Sequence, residues 1–239
     1  MPVDTLDVLL CVLISFVAAA IHGVIGFGFN FLGAPILMLL YPQLIPAPIV
    51  INSIVLVLLV AWKSRDHIEW QALGWAVGAC ALGAFLAGFA IALATGRIYN
   101  GLFGTLLLLA VLVSLLGWQP RVNPSNAIVA GTLSGFMGTI TSIGGPPIAL
   151  LYQRVPSERL RGTLSAYFLL TSPFILIALW GADRLNWAEI KLSFVLLPGL
   201  LMGFACSRYL VGILDQRTTR VAVLVISAFG GIILLARLF

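Results

Sequence analysis

Apolar residues run through this chain in long blocks, and charged positions fall almost entirely between them. Six blocks predict membrane-spanning helices: Pro48–Trp62, Trp70–Thr95, Ile98–Trp118, Arg161–Gly181, Trp187–Val211 and Thr218–Leu238. Two more, Val8–Tyr41 and Asn126–Tyr152, each carry a glycine-rich interruption. At about 1.5 Å of rise per residue, the first is too long for one simple helix across a bilayer core of about 30 Å. The second holds Gly144-Gly145-Pro146-Pro147, four poor helix residues where unpaired backbone is most costly.

The two interrupted blocks align without a gap at an offset of 112. Gly23 pairs with Gly135, Gly26 with Gly138, Gly33 with Gly145, Pro35 with Pro147, Ile36 with Ile148 and Leu39 with Leu151. Four of those six identities are Gly or Pro, whose demands on the backbone are specific. Further on, Asp66–Trp70 (DHIEW) echoes Asp183–Trp187 (DRLNW). The pattern predicts an internal duplication, residues 1–118 and 119–239, in an all-α polytopic membrane protein with about four helical segments per repeat.

Composition closes off other classes. Of 239 residues, 61% are hydrophobic and 9% charged, with mean hydropathy +1.12. A soluble domain carries about 25% charged residues. No gap between blocks has room for a soluble domain, and Met1–Asp7 lacks the basic start of a signal peptide, so the first block is expected to stay in the mature protein. The net charge of +5 reflects loop arginines and lysines and calls for no nucleic-acid partner. Cys11, Cys80 and Cys206 sit singly in apolar blocks, as packing residues. No cofactor or metal is called for.

Charge also bears on direction. If both interrupted blocks crossed the membrane, basic residues would divide seven against six between the faces. If each enters, turns and leaves on one side, nine gather on one face: Lys63, Arg65, Arg121, Arg154, Arg159, Arg161, Arg208, Arg217 and Arg220. Arg97, Arg184, Lys191 and Arg237 remain on the other. The uneven split obeys the positive-inside rule, and three full spans per half invert the second repeat. We therefore expect inverted repeats with broken or re-entrant helices meeting near the midplane; the helix from Val8 is long enough to cross fully, which keeps an eight-span arrangement open.

Non-helical backbone survives at membrane depth where it lines a cavity, and interrupted helices in both halves of a duplicated transporter point to the substrate site. Proline favours the first position of a helix. Pro146-Pro147 are thus expected to start a short helix through Tyr152, and Pro35 its counterpart through Tyr41. Their positive ends suit an anion. Glycines at Gly33, Gly144 and Gly145 allow close approach of a ligand, and Asn30, Thr139, Thr141 and Ser142 are nearby neutral donors. The plainer reading is that these glycines pack helices and the hydroxyls satisfy local carbonyls. Gly74/Gly78, Gly131/Gly135 and Gly199/Gly203 read as packing pairs. His22, inside the first block, is a candidate for proton coupling or an ordinary hydrogen-bonded residue; His67 is a solvated loop residue. No carboxylate falls in the interior of a span, so a carboxylate relay or sodium cage has no ligands.

The pairing of IHGVIGFGFNFLGAPIL with GTLSGFMGTITSIGGPPIAL resembles the TauE/SafE family of sulfite and organosulfonate exporters. The resemblance implies a multi-pass protein of the cytoplasmic membrane that exports a small sulfur-containing anion, without ATP. Leu32 and Ala34 stand where the second motif has Gly144 and Pro146, so unequal half-sites are expected, the second the stronger. An anion channel is the nearer rival. An intramembrane serine protease is the remoter one, because Thr132–Gly135 (TLSG) approaches GxSG but lacks its first glycine.

Overall fold

The computed structural model describes residues 4–26, 28–64, 68–116, 120–210 and 213–238. Arg65, Asp66, His67, Trp118 and Val211, which entered the reading above, lie outside the described residues. The fold is all helical: α1 (Thr5–Ile25), α2 (Phe29–Leu40), a 3₁₀ turn (Pro42–Leu44), α3 (Ala47–Ser64), α4 (Leu73–Leu93), α5 (Gly96–Leu115), α6 (Pro124–Thr141), α7 (Gly145–Tyr152), α8 (Ser157–Gly181), α9 (Trp187–Leu210) and α10 (Gln216–Ala236).

Six of these are long and apolar enough to cross a membrane: α1, α4, α5, α8, α9 and α10. One expectation changes here. The block from Pro48 gives a helix of 18 residues, α3, slightly short of a span, whereas α1 has 21 and reaches the length of one. Large apolar side chains such as Leu13, Phe85, Phe89, Phe194 and Phe229 face outward, as lipid-facing surfaces require. Trp62, Trp70, Trp180 and Trp187 are exposed at helix ends, where indoles settle at the membrane interface.

Hydrogen bonds fix which helix ends lie together. The Tyr41 hydroxyl donates to Asp7 Oδ1 at 2.9 Å, so α2 returns to the level at which α1 began. The Tyr152 hydroxyl donates to Gln71 O at 2.7 Å, just before α4, which runs parallel to α6. Hence α1–α2 and α6–α7 are both hairpins, opening toward opposite ends of the bundle. Arg97 donates to Leu238 O at the end where α1 starts, and Arg220 to Ser114 O, 2.9 Å away, at the other.

Two tight helix pairs hold the core. Gly131 and Gly135 of α6 lie against Ala76 and Cys80 of α4 so closely that a Cβ on either would collide with the facing carbonyl. Gly199 and Gly203 of α9 meet Val12 and Phe16 of α1 in the same way. Glycine permits this approach, and dispersion between the backbones then stabilises the pair. Gly74 and Gly78, expected to pack likewise, face open space, and Gly83 makes the contact to Thr132 instead. Spacing alone does not reveal which face of a helix meets a neighbour.

Caps set several starts. Asn123 accepts from Asn126 N at the head of α6. Asp215 accepts from both the backbone and the hydroxyl of Thr218 at the head of α10, and these donors hold its carboxyl below the usual range.

Candidate functional site

Both hairpins turn inside the bundle, and the chemistry of each turn is local. α1 ends at Gly26, whose left-handed φ of 80° lets its N–H reach His22 O. Gly28, at φ 125°, then leads into α2. The Phe29 N–H at the head of α2 points at His22 Nδ1, 3.4 Å away, and Arg161 Nη2 donates to Val24 O at 2.7 Å. The histidine thus serves one helix start, and the guanidinium serves the negative end of another. In the second hairpin α6 ends at Ser142 (φ 64°), and the Thr141 hydroxyl oxygen accepts from Ile143 N.

The two turns meet. Asn30 Nδ2 donates to Ser142 O at 2.7 Å, a contact between residues 112 apart. Ser53 of α3 donates to Asn30 Oδ1 at 2.7 Å, the Ser142 hydroxyl reaches Pro46 O at 3.3 Å, and the Tyr99 hydroxyl donates to Ile140 O at 2.8 Å. Asn30, Ser53 and Ser142 of this mesh line a cavity of about 170 Å³. Its walls include Gly145 and Pro146 of α7, Ser165, Thr171 and Ser172 of α8, and Ser134 of α6. It extends to Ser114, Gln153 and Arg220, at the end of the bundle that carries most basic residues. No carboxylate lines it among the described residues.

The structure brings His22, Asn30, Ser142, Gly144, Gly145 and Pro146 to this cavity. It does not bring Gly33, Pro35, Thr139 or Thr141 there. Thr139 donates to Gly135 O and Thr141 to Met137 O, each one helical turn back, so their hydroxyls are spent locally. Gly33 lies within α2, packed against Ile49 and Ala18. Pro35 is also inside α2 and does not begin it, because Leu32 and Ala34 are competent helix formers and the helix starts earlier, at Phe29. A proline at that position cannot supply the N–H that would ordinarily bond the Phe31 carbonyl. Ser227 of α10 fills that role, with its hydroxyl 2.6 Å from Phe31 O against 2.8 Å to its own Val223 O.

The helix starts also differ from expectation in their donors. α7 begins at Gly145, but Pro146 and Pro147 remove two of the first-turn N–H groups. What remains is the Gly145 amide and the dipole. Asn30, at the head of α2, lines the cavity and carries an N–H. Gly144 and Gly145 separate in role: a Cβ on Gly144 would sit 2.7 Å from Ser134 O, whereas one on Gly145 meets only Phe168 Cζ at 3.7 Å. Gly144 packs the hairpin, and Gly145 faces the space.

Sequence reasoning missed Ser53, Ser134, Ser165, Thr171, Ser172 and Arg220. Isolated hydroxyls in apolar helices have no spacing signal, and Arg220 read only as a loop charge. The protease reading finds no pair here: the Ser134 hydroxyl donates to Gly144 O at 2.6 Å, and His22 Nδ1 faces Phe29 N.

A helical bundle with an apolar exterior and an internal cavity between two hairpin turns defines a multi-pass membrane protein. The family model for the sulfite exporter TauE/SafE matches residues 11–234, nearly the whole chain, and the protein belongs to that family of membrane transporters. No curated protein and no solved structure matches the chain.

Proposed function

We propose that this protein exports a small sulfur oxyanion, sulfite or an organosulfonate, through the cavity between the hairpin turns. One observation carries the reading: the cavity joins two helix starts and a guanidinium, with no carboxylate among its described lining residues. Each helix start contributes roughly half a positive charge. Neutral side chains such as Ser165 line the cavity without fixing a permanent counter-charge, so an anion can leave again.

The helix pairing supports two inverted repeats, 1–118 and 119–239. Exchanging the halves turns α1 on α9 into α6 on α4, and maps both α3 with α8 and α5 with α10 onto themselves. The Asn30–Ser142 bond joins aligned positions, as contacts near a two-fold axis do. In this arrangement the Lys63, Arg121, Arg154–Arg161 and Arg208–Arg220 segments face the cytoplasm. Labelling of single cysteines should place the Arg121 and Arg154 loops on that same face; opposite faces would sink the hairpin topology.

Driving force needs no cation site. Moving an anion out of a negative cytoplasm is favourable by about 2.3 kcal/mol per charge per 100 mV. In proteoliposomes with an imposed potassium-diffusion potential, sulfite efflux from the negative compartment should rise steeply with potential. Flux that ignores potential and follows a pH gradient would replace this reading with electroneutral proton–anion movement, with His22 as the carrier to test. Uphill accumulation separates a transporter from a channel.

A further inference from the structure

We propose that Arg220 is the anion's first binding station, a selective mouth to the cavity. This rests on the anion-export reading and adds a residue and a step to it. Arg220 is the one lining residue with a fixed charge among those described. It is solvent-exposed, so it meets the anion before the buried hydroxyls do. Its position is set from both sides. Asp215 fixes the head of α10 through Thr218, and Nη2 of Arg220 donates to Ser114 O at 2.9 Å across the mouth. Ser114 lies one residue from the end of α5, where carbonyls carry the negative pole of the dipole. That pole favours a cation and orients the guanidinium over the opening.

The chemistry suits the cargo. A guanidinium presents its donors in a planar fork that matches two oxygens of a sulfite or sulfonate. Farther in, Ser165, Ser172 and Gly145 line the path with neutral groups. Attraction is therefore strongest at the cytoplasmic mouth and weaker inside, an order that loads the anion without trapping it at depth. A cluster of surface charge would only raise the local anion concentration. A fork at the mouth also discriminates oxyanions from halides of equal charge.

The test is equilibrium binding of radiolabelled sulfite to the purified full-length protein, at low and high ionic strength, with chloride as competitor. Arg220→Gln should weaken binding about ten-fold at low salt and lose most of its salt dependence. Arg220→Lys should recover the salt dependence but not the preference over chloride. Arg217→Gln, which changes the same helix outside the cavity, should bind like the parent. A thermal melt of each variant shows that it is folded. Equal sulfite affinity in the parent and Arg220→Gln overturns the proposal, as does an equal loss in Arg217→Gln. A parent that binds sulfite but does not move it sinks the export reading alone. A parent that does not bind sulfite sinks both.

Discussion

Gly145→Leu should reduce transport to background while leaving a folded, monodisperse protein. Gly145 has an ordinary helical backbone and no atom closer than 3.7 Å to where its Cβ would stand. The helix gains a better former, and the isobutyl group enters a cavity of only about 170 Å³. It would cover the amide at the head of α7 and exclude the anion. The neighbouring position behaves in the opposite sense. In Gly144→Ala the new methyl lies 2.7 Å from Ser134 O and 2.9 Å from Ser134 Oγ, both within the same hairpin. The hairpin must open or the helix must shift, at a cost of about 1–3 kcal/mol. Melting temperature and sulfite flux, measured on both variants, separate a blocked site from a broken one. Normal transport in a folded Gly145→Leu would show that the space beside α7 is not the path.

Gly203→Leu should abolish recovery of folded protein, and Gly74→Leu should not. Gly203 touches the backbone of α1: a Cβ there would stand 2.9 Å from Phe16 Cα and closer still to the Phe16 carbonyl. No rotamer relieves a clash that begins at Cβ, so α1 and α9 must separate along one of the two tightest pairs in the bundle. Gly74 faces open space on α4. Leucine there adds an apolar group to a lipid-facing helix and improves helix propensity by up to about 1 kcal/mol. Fluorescence-detected gel filtration in mild detergent distinguishes the two. Comparable elution profiles would mean that the α1–α9 contact tolerates expansion and does not hold the core.

The legibility of this chain followed the strength of each local signal. Gly26, Gly144 and the two prolines after it act on backbone directly, so the interruptions of both hairpins were readable. Charge predicts a direction for each hairpin, because membrane insertion sorts Arg and Lys by side. Side-chain roles were harder. Thr139 and Thr141 look identical in sequence to Thr171 and Ser172, and all four hydroxyls donate one helical turn back, yet only the latter pair lies on the cavity wall. Helical rotation decides that, and in helices that are apolar all round no periodicity reveals the angle. Pro35 misled for a related reason. A proline normally marks a helix start, but here the missing bond is supplied by a residue far along the chain.

That substitution ties two distant positions into one inherited unit. Without Ser227 the Phe31 carbonyl would lose the hydroxyl that stands in for the Pro35 amide, and Ser227 without Pro35 would meet a ladder already complete. A lineage that replaced the proline would release the serine from constraint, while loss of the serine first would be selected against. The order in which the two changes can occur is therefore asymmetric, and related chains should keep the serine wherever they keep the proline.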